Sequence, residues 1–233
     1  PRGDCPAKHC LGVSPRPRPK ASQPSGFARV RRFKPLFRSR YGLKPTELRR
    51  KGKSATNSEH LTLKLAYRPP LAWAELLDFL VGRGAAGVEC ADKNRYWRTV
   101  HLDGCTGWIN AAPEPKQNAL RIEISHSLLP VLTPLLARLR NLFDLDANPT
   151  VIDAHLSQNA RLAMGLRRTP GLRVPGAVNG FELALRTILG QQVSVKAATT
   201  LFTRFAARFG ETIATPNPQL RFLAPQAQSI AGA

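Results

Sequence analysis

Acidic residues are scarce in this chain of 233 residues: fifteen Asp and Glu stand against thirty-five Lys and Arg, for a formal net charge of +20 and a pI near 11.1. That shortage argues against a basic ligand and makes a polyanion, nucleic acid first, the expected partner; the alternative is a solvated basic surface with no partner. Cysteine is scarce too. Cys5, Cys10, Cys90 and Cys105 are spread too widely and irregularly for a zinc finger, whose pairs sit about two to four residues apart, so reduced thiols and no metal are expected. Long hydrophobic runs are missing as well. No stretch approaches the roughly eighteen apolar residues of a membrane helix, and the opening PRGDCPAKHCLGVSP lacks the apolar centre of a signal peptide. These absences lead to the expectation of a cytoplasmic protein with no membrane partner. What is present, 42% hydrophobic residues, suffices for one sizeable core or two small ones.

Residues 1–25 hold six prolines and almost no apolar periodicity, and read as a disordered leader. In GFARVRRFKPLFRSRYGLKPTELRR, Phe33, Leu36, Phe37 and Tyr41 recur at helical spacing while Arg29, Arg31 and Arg32 crowd the other positions. Gly42 ends that helix, Pro45 opens a shorter one, and Pro35 interrupts the first. The segment 26–57 resembles the end of an AraC-type helix-turn-helix, of which only the last third is present. The resemblance implies either a recognition helix in the DNA major groove or a remnant that contributes a basic tail.

A second region, 58–127, begins where Leu61, Leu63 and Leu65 alternate with polar residues, the period of a half-buried strand. A helix is expected next, with Leu71, Leu76, Phe79 and Leu80 on its apolar face and a stop at Gly84. Strand-like runs follow at 95–102, 107–112 and 119–125. A small antiparallel sheet with a helix on one face accounts for this order, so the fold class is α+β. From Leu128 the period changes to 3.6. Four helices are expected over 128–145, 150–166, 180–190 and 193–209, separated by Asn-Pro and Pro-Gly pairs, and they form a third region, 128–233.

Four of these stretches, YRPPLAWAELLDFLVGRGAAGVE, YWRTVHL, LFDLDANPTVIDAHL and GLRVPGAVNGFELALRTILGQQVSVKAATTLFTRFAARFG, resemble the bacterial 3-methyladenine DNA glycosylase II family, in that family's order. The resemblance covers residues 61–233. With the AraC-type end in front, the whole is similar to fusions of the Ada regulator with this glycosylase. It implies a sheet region like half of the TATA-binding protein, then part of a helix-hairpin-helix glycosylase domain. It also implies hydrolytic release of alkylated purines from double-stranded DNA by a monomer, with no cofactor.

A glycosylase must take its base out of the stack and fill the gap it leaves. The loop PGLRVPG, 170–176, is stiffened by Pro170 and Pro175, and the resemblance assigns the wedge to Leu172; the alternative is a core leucine under a tight turn. Arg167, Arg168 and Arg173 are the expected DNA contacts beside it. Asn179 and Glu182 fit a capping box, and Ser194 fits an N-cap. Between the two helices lies the polar pair Gln191 and Gln192, which either satisfies helix-end carbonyls or faces the flipped base. Phe181, Leu185, Ile188 and Leu189 on the first helix, and Val195, Ala198, Leu201, Phe202, Phe205 and Phe209 on the second, are expected to form buried faces.

Cleavage needs a carboxylate to stabilise the oxocarbenium character that develops on the sugar. The resemblance places that aspartate beyond Ala233, after a glycine-rich hairpin. The expectation is therefore a glycosylase truncated at its C-terminus, inactive in this form and with no catalytic residue of its own. Two alternatives remain: a non-catalytic basic DNA-binding remnant, and a non-functional fragment.

Overall fold

The computed structural model describes residues 60–232, and the arginines at 29, 31 and 32 lie outside them. Five antiparallel strands form one sheet: β1 (His60–Ala66), β2 (Glu89–Asp92), β3 (Arg95–Leu102), β4 (Cys105–Glu114) and β5 (Ala119–Ser125), in the spatial order β1-β5-β4-β3-β2. The first and last strands to be read from the sequence therefore pair, with His60 opposite Ser125 and Ala66 opposite Ala119. The β3–β4 turn is Asp103–Gly104, both at positive φ, a geometry whose twist suits a two-residue hairpin.

Strand β2 escaped the sequence reading. It is four residues long, and its turn to β3 is Lys93–Asn94, also at positive φ but without the glycine that usually marks such a turn.

The α-helices among the described residues are α1 (Trp73–Gly82), α2 (Leu132–Leu142), α3 (Pro149–Leu156), α4 (Ala160–Arg168), α5 (Gly180–Leu189), α6 (Val195–Phe209) and α7 (Ala227–Ala231). The apolar stripe of α1 is Trp73, Leu76, Leu77 and Leu80. Phe79 faces solvent instead, because it stands outside the i, i+3, i+4, i+7 stripe, and the Arg83 guanidinium covers its ring at 3.9 Å. The helix expected over 150–166 is two helices. The chain leaves α3 at Ser157, and Asn159 caps α4 by accepting from the Arg161 N–H at 3.0 Å.

The main core lies between one face of the sheet and helices α1 and α2. Leu65, Leu120, Ile122 and Ile124 from the sheet meet Leu135 and Leu139 from α2, and Phe143 packs edge-on against Tyr96 at 5.8 Å. This core takes residues from both sides of position 127, so the boundary expected there runs through a single packed unit. On the opposite face the Trp97 and Trp108 rings pack at a tilt of 38° with centroids 5.5 Å apart, and Leu220 packs with them.

The segment after α6 shows no apolar period in the sequence. It binds back to the sheet edge: the N–H groups of Arg221 and Phe222 donate to Gly87 O, and Thr99 Oγ1 donates to Phe222 O at 2.7 Å.

The faces of α5 and α6 differ most from expectation. Of the ten residues assigned to them, Phe202 alone is buried, beside Ala206. Phe181, Ile188, Val195 and Leu201 are exposed. Period and composition reveal an apolar stripe but not what covers it.

Candidate nucleic-acid interface

Two features project from this frame, the loop 170–176 and the corner between α5 and α6. The loop is held to the body by its backbone. Gly171 adopts φ +81°, its carbonyl accepts from the Ala72 N–H at 3.0 Å, and a Cβ there would lie 2.5 Å from both the carbonyl carbon and the oxygen of Pro70. At the other end the Gly176 N–H donates to the carbonyls of Asn141 and Leu142, each at 3.2 Å. Between these anchors the side chains alternate. Leu172 is 49% exposed and Val174 81%, while Arg173, at 7%, points inward.

Arg173 thus departs from its expected place on DNA. Its Nη2 donates to the carbonyls of Arg68 at 2.5 Å and Pro70 at 2.9 Å, beneath the loop, and Nε and Nη1 have no hydrogen-bond partner among the described residues. Burial, partly opposed by the Asp144 carboxylate, pulls its pKa below the usual guanidinium value. Arg167 and Arg168 at the end of α4 are exposed, as is Arg161 at its start, and none is paired with a carboxylate among the described residues. An open groove of about 510 Å³ lies alongside, lined by Asp153, Ser157, Leu166, Arg167 and Pro170 among others. No side chain among the described residues holds the Asp153 carboxylate by a hydrogen bond or ion pair.

These positions predict a separation of effects. Arg167→Ala and Arg168→Ala should each flatten the salt dependence of DNA binding by about one unit of slope and leave Tm unchanged, whereas Arg173→Ala should lower Tm and leave the slope alone. Fluorescence anisotropy across a salt series, beside thermal melts, reads both. A slope change from Arg173→Ala would return that residue to the interface.

At the second feature α5 ends on Gly190, and the chain turns through Gln191, Gln192 and Val193 into the α6 N-cap. Ser194 supplies that cap, accepting from the Ala197 N–H at 3.2 Å. The two glutamines separate. Gln191 Nε2 donates to the Thr187 carbonyl at 3.2 Å, so it satisfies a helix end. Gln192 sits at φ +57° with its side chain exposed and without a hydrogen bond to another described residue. A non-glycine residue in that region is uncommon, and such residues gather at functional sites.

The α5 helix is locked from beneath by buried charge. Asn179 caps it, accepting from the Phe181 and Glu182 N–H groups, but Glu182 does not close a capping box. Instead its carboxylate accepts from Arg98 Nη2 at 2.6 Å and from Arg186 Nε at 2.9 Å and Nη2 at 2.8 Å. Arg186 also bonds Glu89, whose other oxygen accepts from the Tyr96 hydroxyl at 2.6 Å.

Burial opposes ionisation of Glu182, yet Arg98 and Arg186 outweigh it and hold the carboxyl below its ordinary value. Burial and Glu89 push the Tyr96 phenol well above its own. The unfolded state therefore takes up the Glu182 proton at higher pH than the folded state does. Its contribution to stability is complete above the usual carboxylate range and is lost as pH falls through the depressed folded value. Tm measured from pH 7 downward should fall, and Glu182→Gln should flatten that fall.

No helix among the described residues is long and apolar enough to cross a membrane. A protein named DNA-3-methyladenine glycosylase 2 from Escherichia coli is 36% identical over 176 residues, 72% of this chain and 60% of its own length. A Mycobacterium tuberculosis protein named "Probable bifunctional transcriptional activator/DNA repair enzyme AlkA" is 31% identical over 212 residues, 89% of this chain and 42% of its own. The chain thus spans less than two thirds of either relative. Among solved structures, a 3-methyladenine DNA-glycosylase from Archaeoglobus fulgidus superposes with a TM-score of 0.61 at 18% identity, over 73% of this chain and 58% of that one. An 8-oxoguanine glycosylase/lyase from Clostridium acetobutylicum, in complex with double-stranded DNA, gives 0.52 at 13% identity, over 73% and 54%. At these identities the superpositions establish a shared fold. Residues 62–179, from the first strand to the cap of α5, match the AlkA N-terminal domain, and the chain belongs to that family.

Proposed function

We propose that this chain is the DNA-engaging part of a base-excision repair glycosylase that extrudes alkylated purines from double-stranded DNA and hydrolyses their N-glycosidic bond. The family, the relative from Escherichia coli and the fold support this reading. The observation that carries it is the exposed corner at Gln192, a polar residue at positive φ projecting between two helices of a strongly basic chain. A residue so placed can enter a duplex where a base has left the stack.

Leu172 is the second reading for the inserted residue. Its half-exposed side chain supports it, although a loop tied to the body at both ends projects less freely than the corner. The relative from Mycobacterium tuberculosis aligns over 212 residues, more than the described part contains, so the alignment reaches into 1–59. This supports the regulator end read there. The basic arm then adds sequence-independent affinity.

The carboxylates near the two features are largely committed: Glu182 to two arginines, Asp146 to Arg140, and Asp144 to the Val174 N–H. The 233-residue chain is therefore expected to bind DNA and release no 3-methyladenine, while a chimera continued with the remaining sequence of the Escherichia coli relative releases it. A chimera that binds alkylated DNA and releases nothing overturns the proposal. Release by the 233 residues alone would point to Asp153, the uncommitted carboxylate on the groove. Binding to a duplex with an abasic analogue, against an intact one, separates the two insertion readings. Gln192→Ala should reduce that preference, and Leu172→Ala should do so only if the loop is the wedge.

A further inference from the structure

Arg186 lies one helical turn before the corner. Its carbonyl accepts the Gly190 N–H that closes α5, at 3.0 Å, so its main chain is part of the corner's own support. Its side chain reaches four other places. Nη1 donates to the Arg83 carbonyl at the end of α1, at 2.7 Å. Nη2 reaches Glu89 on β2, and Nε and Nη2 reach Glu182 on its own helix. The guanidinium lies over the Phe202 ring of α6, with its carbon 4.0 Å from the ring centre. One side chain thus touches the sheet, the helix beside it, and both helices of the corner.

Two other polar contacts tie these helices to the body: Arg98 Nη2 donates to Glu182, and the Ala86 N–H donates to Thr203 Oγ1 of α6. The apolar faces of α5 and α6 are largely exposed, and the small second core holds Ala85, Val88, Phe202 and Ala206, with Leu185 and Leu189 of α5 half-buried against it. A hydrophobic interface of that size fixes distance but not direction, because apolar contact is non-directional. Hydrogen bonds between a planar guanidinium and two carboxylates do fix direction.

On the proposed reading that the α5–α6 corner engages DNA, we propose that Arg186 is a positioning residue, which with Glu182, Glu89 and Arg98 uses the sheet as a fixed mount to aim that corner. The sheet then has a function for a site it does not touch. Removing the mount leaves each part folded and lets the corner wander.

Arg186→Met alone would strand two carboxylates with one arginine and could unfold the chain. The decisive variant is the double replacement Glu182→Leu/Arg186→Leu, which removes one charge of each sign and leaves Glu89 with Arg98 and the Tyr96 hydroxyl. Apolar replacement of a buried ion pair is often neutral for stability, so Tm should stay near that of the parent. Amide exchange over residues 187–195 should accelerate and the preference for abasic-analogue duplex over intact duplex should fall, each on the order of tenfold, the size of typical positional coupling. Arg186→Lys keeps the charge but not the planar fork, and should give the same two changes at smaller size; it decides the matter if the double variant does not fold.

Unchanged exchange at the corner in a folded variant overturns the positioning role. A parent chain with no preference for the abasic analogue overturns the DNA reading, and the exchange measurement still decides whether Arg186 holds the corner. Faster exchange with an unchanged preference shows that the corner is held but is not what reads the DNA, which also overturns the proposal.

Discussion

Gly171→Ala is expected to lower Tm by roughly 6 to 12 °C, about 3 kcal/mol for a chain of this size. Two effects add. The residue sits at φ +81°, where a side chain costs about 1–3 kcal/mol. A Cβ would also lie 2.5 Å from the carbonyl carbon and oxygen of Pro70 and 2.9 Å from Leu71 N. All three are backbone atoms, which cannot swing aside as the end of a side chain does. The loop can relieve the contact only by leaving the Pro70–Ala72 segment, which breaks the Ala72 N–H bond to Gly171 O and uncovers Arg173. Differential scanning calorimetry gives the shift, and a melt within about 2 °C of the parent would show that the loop is not packed as described. Gly104 is the internal control. It too has positive φ, but nothing lies within 4 Å of the place its Cβ would take, so its replacement should cost only the conformational part.

Arg98→Met should cost more, about 3–5 kcal/mol, which corresponds to roughly 6 to 20 °C. Arg98 lies on the helix-facing side of β3, almost wholly buried. It bonds Glu182 at 2.6 Å, and its Nη1 lies 4.0 Å from Glu89. Burial opposes its charge, but the two carboxylates outweigh that and raise its pKa, so the folded protein holds the cation firmly. Without it, two buried carboxylates share Arg186, and Glu182 loses the larger of the two influences that hold it ionised. The loss should therefore be steepest at neutral pH and smaller in acid, where protonation removes the excess charge. Urea melts at pH 7 and pH 4.5 test this. A variant as stable as the parent at pH 7 would mean that the network contributes no net stability.

The strands with regular alternation, β1 and β5 above all, were legible because every second residue is apolar and faces one core. Four helices, α1, α2, α5 and α6, were legible by period, and the caps at Asn179 and Ser194 by residue type; the break between α3 and α4 and the five-residue α7 were not, because a short helix holds too few turns to show a period. What was missed is non-local. Glu182 looked like half of a capping box because Asn179 is three residues away. Its partners Arg98 and Arg186 and their link to Glu89 depend on strand pairing that no local window contains.

Arg173 carried the same charge as its neighbours Arg167 and Arg168, and charge alone put it on DNA. Its direction is set by the backbone anchoring at Gly171 and Gly176, a tertiary fact. The glutamine pair was legible as a choice between two roles. The structure divides the pair, giving Gln191 to the helix end and leaving Gln192 exposed at the corner.

The return of residues 220–222 to Gly87 and Thr99 also bears on how the chain comes off the ribosome. Strand β2 is an edge of the sheet, and a bare edge is a template for pairing with another chain. Residues more than a hundred positions later meet it at its start and on one side chain: the Arg221 and Phe222 N–H groups donate to Gly87 O just before β2, and Asn217 Nδ2 reaches Cys90 Sγ across a separation of 127 residues. During synthesis the sheet and its first two helices are complete at Leu142, 80 residues before Phe222, so the contact at Gly87 still waits for roughly 4 to 16 seconds at about 5–20 residues per second. Contacts that close so late carry a large loop-closure cost and slow the final step of folding. Crowded expression should therefore favour edge-to-edge association of nascent chains, and slower initiation or a lower temperature should raise the yield of monomeric protein.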